Sequence, residues 1–317
     1  MIAEISNSIE KAISLLKAGE LVAIPTETVY GLAANALDVS AVTSIFKAKN
    51  RPFFDPLIVH IGKKEDLQFY SLSVHPVLQQ LIDIYWPGPL TILVPKSDLI
   101  PDLVTSGLAN VGIRMPAHPL TSSLLQKLPF PLAAPSANPF GYVSPTSAQH
   151  VFDQLGSSIP LILDGGECGV GVESTVVGMD GDVCVIYRLG GITFEQIQQV
   201  APNALMHLNE SSDPRSPGML KSHYAPNKQL LFVDEITLSN LTIQPNSVLL
   251  CLKKPANWNH AVYELSATEN LTEATQNLFK GLRELDASSY ETIIALKVPD
   301  VGLGRAINDR LKRSAAF

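Results

Sequence analysis

Residues 21–61 read LVAIPTETVYGLAANALDVSAVTSIFKAKNRPFFDPLIVHI, and this stretch decides the class of fold. Leu21–Ile24 is a short apolar run stopped by Pro25, which reads as a buried strand rather than a helix. A polar loop follows. Asp38 stands where an N-cap belongs, Val42, Ile45 and Phe46 share one helical face, and Pro52 ends the helix. Leu57–Ile61 is the next apolar run, so strand, helix and strand alternate and an α/β sheet with packed helices is expected.

Working outward, Ile9, Ala12, Ile13 and Leu16 recur at helical spacing before Gly19, which puts a helix ahead of the first of these strands. Downstream, a helix over Pro76–Tyr85 runs into the breaker Trp86-Pro87-Gly88-Pro89, and strands are expected at Leu90–Val94 and Val111–Met115. Pro119 starts a helix to Leu128, Pro131–Ala134 is a strand, and Ser144-Pro145 is expected to cap a helix that closes at Gly156. After the strand Pro160–Leu163 the pattern changes: two strand-like pieces flank Asp180-Gly181, a hairpin signal that mixes antiparallel pairing into the sheet. Thr193 and Gln196 form a capping box for a helix to Val200.

Residues 201–228 hold Pro202, Pro214, Pro217 and Pro226 and no sustained period, which reads as an interdomain linker, with Lys221, His223 and Tyr224 near its end. A structureless connection of that length is often a lid or binding loop. Beyond it, the apolar runs Leu230–Val233, Val248–Leu252 and Ile293–Val298, with a helix marked by Leu271, Ala274, Leu278, Leu282 and Leu285, describe a second, smaller α/β domain over 229–317. Gly302-Leu303-Gly304-Arg305 lacks the third glycine of a dinucleotide fingerprint and reads as a tight turn.

With 46% hydrophobic and 17% charged residues, the 317-residue chain is globular rather than disordered. Its formal charge of −7 weighs against a tight grip on long nucleic acid, which needs a positive face. Cys168, Cys184 and Cys251 have no C-x-x-C spacing, so a reducing cytoplasm is expected and a structural zinc site is not. The N-terminus lacks a secretory pattern, and no apolar run reaches the ~20 residues of a membrane span.

Lys47, Lys49 and Arg51 crowd the end of a helix, where they either complement the helix dipole or form an anion site. Ser136, Asn138, Ser144 and Thr146 form a second polar cluster that favours the anion reading, because Ser144 is expected at a helix N-terminus. Gly165, Gly166, Gly169 and Gly171 either make a flexible loop or offer backbone amides to a ligand. Arg114, near the end of a strand, is either solvent-facing or a clamp on a carboxylate. His60 alone on a strand is commonly a satisfied core residue, and the other histidines show no metal spacing. No Walker A, nucleophile-elbow or H-E-x-x-H pattern is present.

Taken together, Pro25–Gly31 (PTETVYG), Lys49-Asn50-Arg51-Pro52, Pro56–His60 (PLIVH), Trp86-Pro87-Gly88-Pro89, Ser136-Ala137-Asn138, the GVESTV segment and Tyr187-Arg188 resemble the YrdC family over residues 1–200. Ser222–Pro226 (SHYAP) and the second domain are similar to the long, two-domain threonylcarbamoyl-AMP synthases of that family. The resemblance implies a twisted open mixed sheet with a concave ligand face, plus a smaller Rossmann-like C-terminal α/β domain. It implies a nucleotidyltransferase that joins L-threonine and bicarbonate, passes the carbamate to the α-phosphate of ATP and releases pyrophosphate, with Mg²⁺ carried by ATP and no resident metal. It implies downstream proteins that transfer the threonylcarbamoyl group to tRNA, at most weak tRNA binding by this chain, and no membrane.

Carried over by position, Thr28, His60, Arg114, the backbone at Ala134 and Ser174 are expected around threonine. Lys49, Arg51, Asp55, Asn110, Ser136, Asn138, Ser144, Arg188 and Tyr224 are expected around ATP, with Lys49 and Arg51 offsetting phosphate charge during catalysis. Asp55 stands where many relatives carry Asn, and an added carboxylate there repels phosphates unless Mg²⁺ or Arg51 compensates. Two other readings remain: a carbamoyl-adenylate activity as in hydrogenase-maturation proteins, and an RNA-binding module.

Overall fold

In the computed structural model, which describes residues 2–208 and 223–316, the strands order into two sheets. The first holds β1 (Glu4–Ser6), β2 (Val22–Ile24), β3 (Gly31–Asn35), β4 (Ile58–His60), β5 (Leu90–Pro95), β6 (Asn110–Arg114), β7 (Leu132–Ala133), β8 (Leu161–Leu163), β9 (Thr175–Asp180), β10 (Val183–Arg188) and β11 (Leu205–Met206). Their order is β1-β8-β2-β3-β7-β4-β6-β5-β9-β10-β11. Pairing is mixed: β4 runs parallel to β6 and antiparallel to β7, and β9–β10 is the hairpin that Asp180-Gly181 signals. The second sheet, β12 (Gln229–Val233), β13 (Ser247–Cys251), β14 (Val262–Glu264) and β15 (Thr292–Leu296), is all parallel in the order β12-β15-β13-β14.

Helix Val39–Lys49 forms as its sequence dictates: Asp38 accepts from Ser40 and Ala41 at the start, and Asn50 ends it in the left-handed conformation at φ 52°. Its buried face of Val42, Ile45 and Phe46 packs into the main core with Tyr30, Val59 and Ile113. The Thr193/Gln196 capping box is present as well.

Three differences from the sequence reading matter for the site. The loop after Pro25 contains β3, whose Gly31-Leu32-Ala33-Ala34 run is buried on both faces and so shows no alternation. The helix expected from Ser144 begins instead at Ala148, with Ser147 as its cap, and Ser144 lies buried before it. The first sheet also continues past Val200, since β11 pairs with β10. Lys221 and Ser222, with Pro214 and Pro217, lie outside the described residues.

The two sheets meet along helix Leu271–Ala287. One side of it joins the second sheet's core through Leu278 and Leu282, a core that also takes in Val29, Val143 and Val172 from the first part of the chain. From the same helix, Gln276 donates to the Gly169 carbonyl at 2.6 Å, Lys280 pairs with Glu167 at 3.1 Å, and Arg283 donates to the Ser144 carbonyl at 3.2 Å. Among the described residues no helix is long and apolar enough to cross a membrane.

Candidate active site

Strands β4 and β6 place His60 opposite Arg114 in register, and both side chains reach a cavity of about 520 Å³, its open mouth included. The wall is completed by Thr26, Thr28, Ala134, Ser136 and Ser174, by three arginines, Arg51, Arg114 and Arg188, and by His223 and Tyr224 from across the seam. All five residues expected around threonine are therefore gathered there, as are Arg51, Ser136, Arg188 and Tyr224 of the nucleotide set.

Arg114 is held on three sides. Its Nη1 donates to Thr28 Oγ1 at 2.9 Å, its Nε donates to the Gly88 carbonyl at 3.3 Å, and its Nη2 lies 2.7 Å from Glu27 Oε1. Glu27 is fixed in turn by the Ala117 amide, which donates to Oε2 at 3.1 Å. Pinned in this way, the guanidinium is a preorganised partner for a small carboxylate. His60 donates from Nδ1 to the Ile58 carbonyl at 3.2 Å, and burial followed by the nearby Arg114 charge pushes its pKa down to about 3, so the imidazole is neutral at neutral pH. Ser174 hydrogen-bonds Thr91 Oγ1 at 2.7 Å and accepts from Arg188 Nη2 at 3.0 Å. Gly190 fixes this corner, because a Cβ there would lie 2.2 Å from the Glu173 carbonyl oxygen.

Lys49 and Arg51 lie behind one edge. Lys49, 1% exposed, donates from Nζ to the Ser136 carbonyl at 2.6 Å and also to the Asn138 carbonyl. Burial, with Arg51 beside it, holds its pKa well below the usual lysine value. Arg51 donates to the carbonyls of Asp55 and Pro56 at 3.1 and 2.8 Å and lies 2.8 Å from Asp55 Oδ2.

Five of the nucleotide positions stand off the cavity wall, Lys49 among them. Asp55 is fully buried behind Arg51, which supplies the compensating charge that a carboxylate there requires. Asn138 turns its amide to the Tyr142 carbonyl at 2.7 Å. Ser144, without a helix N-terminus, donates to Glu173 Oε1 at 2.5 Å. Asn110 is exposed at the far end of β6 from Arg114 and borders a separate hollow with Leu93 and Tyr187, because five residues of extended strand separate it from the cavity. The glycine loop is not a ligand cradle either: the Cys168, Val170 and Gly171 amides donate to the Thr146, Glu27 and Thr28 carbonyls.

Wall residues outside the expected set include Thr26, Glu173 and His223, although all three lie inside quoted motifs. Tyr224 sits at φ 66°, stacked 5.5 Å from Phe279, with its carbonyl accepting from Ser314 Oγ at 2.8 Å. Burial pushes its phenol up to about 12 and holds His223 well below the usual histidine value. Tyr224 Oη and His223 Nδ1 are buried polar atoms without a hydrogen-bond partner among the described residues, and both residues line the cavity. Such atoms are costly unless a ligand or water completes them.

A twisted mixed sheet whose cavity is lined by arginines and orphaned polar atoms defines an α/β protein built to take a small anionic ligand. Residues 14–190 match the Sua5–YciO–YrdC family model, described as telomere recombination, and residues 192–316 match the C-terminal domain model of threonylcarbamoyl-AMP synthase. The chain belongs to this family. It is 37% identical over 320 residues to the threonylcarbamoyl-AMP synthase of Pyrococcus abyssi, covering 96% of this chain and 93% of that protein. It is 40% identical over 322 residues to the enzyme of the same name from Bacillus subtilis, covering 97% and 92%. The crystal structure of P. abyssi Sua5 complexed with L-threonine superposes with a TM-score of 0.90 at 34% identity, covering 99% of this chain and 98% of that one.

Proposed function

We infer that this chain is a nucleotidyltransferase that makes threonylcarbamoyl-AMP from L-threonine, bicarbonate and ATP, releasing pyrophosphate, for threonylcarbamoyladenosine modification of tRNA. The observation that carries this reading is the convergence of Thr28, His60, Arg114, Ala134 and Ser174 on one cavity that also holds Arg51, Ser136, Arg188 and Tyr224. Arg114 takes the threonine carboxylate, and neutral His60 with Thr28 and Ser174 orients the rest of the amino acid. The threonine nitrogen bonds to the bicarbonate carbon with loss of water, and the resulting carbamate oxygen bonds to the α-phosphorus as the bond to pyrophosphate breaks. Arg51 and Arg188, with Lys49 buried behind the wall, offset phosphate charge in that step. No side chain is needed as a covalent nucleophile.

The wall carboxylate Glu173 is engaged by Ser144 and Arg310, and among the described residues no cluster of His, Cys, Asp and Glu could hold an ion. Mg²⁺ brought in by ATP supplies charge neutralisation on the phosphates. Tyr224 and His223 close the cavity from the second sheet's side and exclude water from the hydrolysable carbamate and mixed anhydride.

Other proteins receive the product and carry it to tRNA, so this chain needs no tight tRNA grip, in keeping with its charge of −7. A cytoplasmic setting suits its three free cysteines. The deciding assay is pyrophosphate release from Mg-ATP with and without L-threonine and bicarbonate, with the nucleotide product identified by mass. Release that requires both and yields threonylcarbamoyl-AMP is expected. Absence of release beside salt-sensitive tRNA binding would overturn the reading in favour of an RNA-binding module.

A further inference from the structure

Glu173 places a carboxylate in the wall of a cavity whose cations are Arg51, Arg114 and Arg188. Burial alone would favour its neutral form, but Arg310, Arg188 and the Ser144 hydroxyl outweigh burial and keep its pKa below the usual value, so it is ionised at neutral pH. A bare carboxylate here would repel the phosphates that the inferred reaction gathers.

The neutralising charge comes from the other end of the chain. Arg310, on the helix Gly304–Ser314 and 0% exposed, donates from Nε to Glu173 Oε2 at 2.9 Å. Its Nη1 pairs with Asp309 at 2.6 Å, its Nη2 donates to the Leu189 carbonyl at 2.8 Å, and its guanidinium carbon lies 4.9 Å from the centre of the Tyr224 ring. Arg310 does not itself line the cavity, whereas Glu173 and Tyr224 do, so it acts through them and does not grip substrate. We propose that Arg310 is a positioning residue: it ties Glu173 into an ion pair and backs Tyr224, so that helix Gly304–Ser314 sets the affinity of the cavity for ATP. The proposal rests on the functional reading above.

The test measures ATP and L-threonine binding separately, by calorimetry on the full-length protein. Arg310→Met is expected to weaken ATP binding about tenfold or more, a loss on the scale of one charge-assisted hydrogen bond, and to leave threonine binding within about twofold. Adding Glu173→Gln to Arg310→Met removes the unpaired carboxylate and is expected to restore most of the ATP affinity. Arg310→Lys, which keeps the charge, is expected to stay within about threefold of the parent. A folded Arg310→Met protein that loses ATP and threonine binding equally, or is not rescued by Glu173→Gln, overturns the proposal. If Arg310→Met does not fold, the double variant decides: normal ATP binding supports the ion-pair role, and lost binding in a folded double variant refutes it. If the unaltered protein binds no ATP, the functional reading itself falls; if it binds ATP and Arg310→Met binds equally well, only the role of Arg310 falls.

Discussion

The two ends of the cavity are built in different ways. The end proposed for threonine is assembled within the first sheet: Arg114 and His60 sit on paired strands, and Thr28, Glu27 and the Gly88 carbonyl surround the guanidinium from neighbouring loops. The end proposed for the nucleotide is shared, because Arg51 and Arg188 line the cavity with Tyr224 and His223, which contact Phe279, Arg310, Arg313 and Ser314 of the second unit. One end is set by register within a single sheet, and the other has a wall that exists only when two units are docked.

The sharpest test of this asymmetry is Arg114→Ala, which is expected to raise the threonine requirement about 10- to 100-fold, the worth of one or two hydrogen bonds to charge, and to leave the ATP requirement nearly unchanged. Equal effects on both substrates would erase the distinction. Tyr224→Ala should act in the opposite sense, weakening ATP use about tenfold while threonine binding is retained, and Tyr224→Phe, which keeps the ring on Phe279, should lose less. If the two variants lose equally, the hydroxyl rather than the stacked ring is what the site uses.

Arg283→Ala tests docking at a distance from the cavity. Without the donors to Val143 and Ser144, ATP affinity is expected to fall about threefold to fivefold with threonine affinity constant. A threonine effect as large would mean that the seam supports both ends. The smallest effect concerns pH. His60, with its pKa at about 3, stays neutral, so threonine binding measured from about pH 5.5 to 8 should be flat. A step near the free imidazole value would show a solvated ring. Its folded pKa is depressed, so the stability it contributes is present above the unfolded value and is lost as pH falls toward 3. His150, depressed to about 4, adds to the same acid loss, and His60→Asn should make acid unfolding shallower.

Much of this was legible from sequence because it is local. Asp38, Pro52, Pro119 and the Thr193/Gln196 pair punctuate helices within a few residues, and Asp180-Gly181 turns a hairpin. Residues of the family motifs, Thr28, His60 and Ser174, meet Arg114 at one cavity. Strand β3 was hidden because small residues buried on both faces show neither helical nor alternating period. Ser144 misled because Ser-Pro resembles a cap, whereas its hydroxyl is spent on Glu173. Asn110 is sequence-near to Arg114, yet strand geometry carries it to the other end of β6. The partners of the Glu173–Arg310 pair are 137 residues apart, and no local pattern announces a partner so distant. One clue was available: in helix Gly304–Ser314, Arg310 falls on the same face as Ala306 and Ile307, a place where a charge is paired or costly.

Gly171 gives the seam its tolerance. At φ 84° its backbone meets helix Leu271–Ala287 so closely that a Cβ would lie 2.4 Å from the Thr275 carbonyl oxygen. A single added methyl group is therefore a wedge, driven between the two units two residues before the wall carboxylate Glu173. At this point the joint leaves no room for one more carbon.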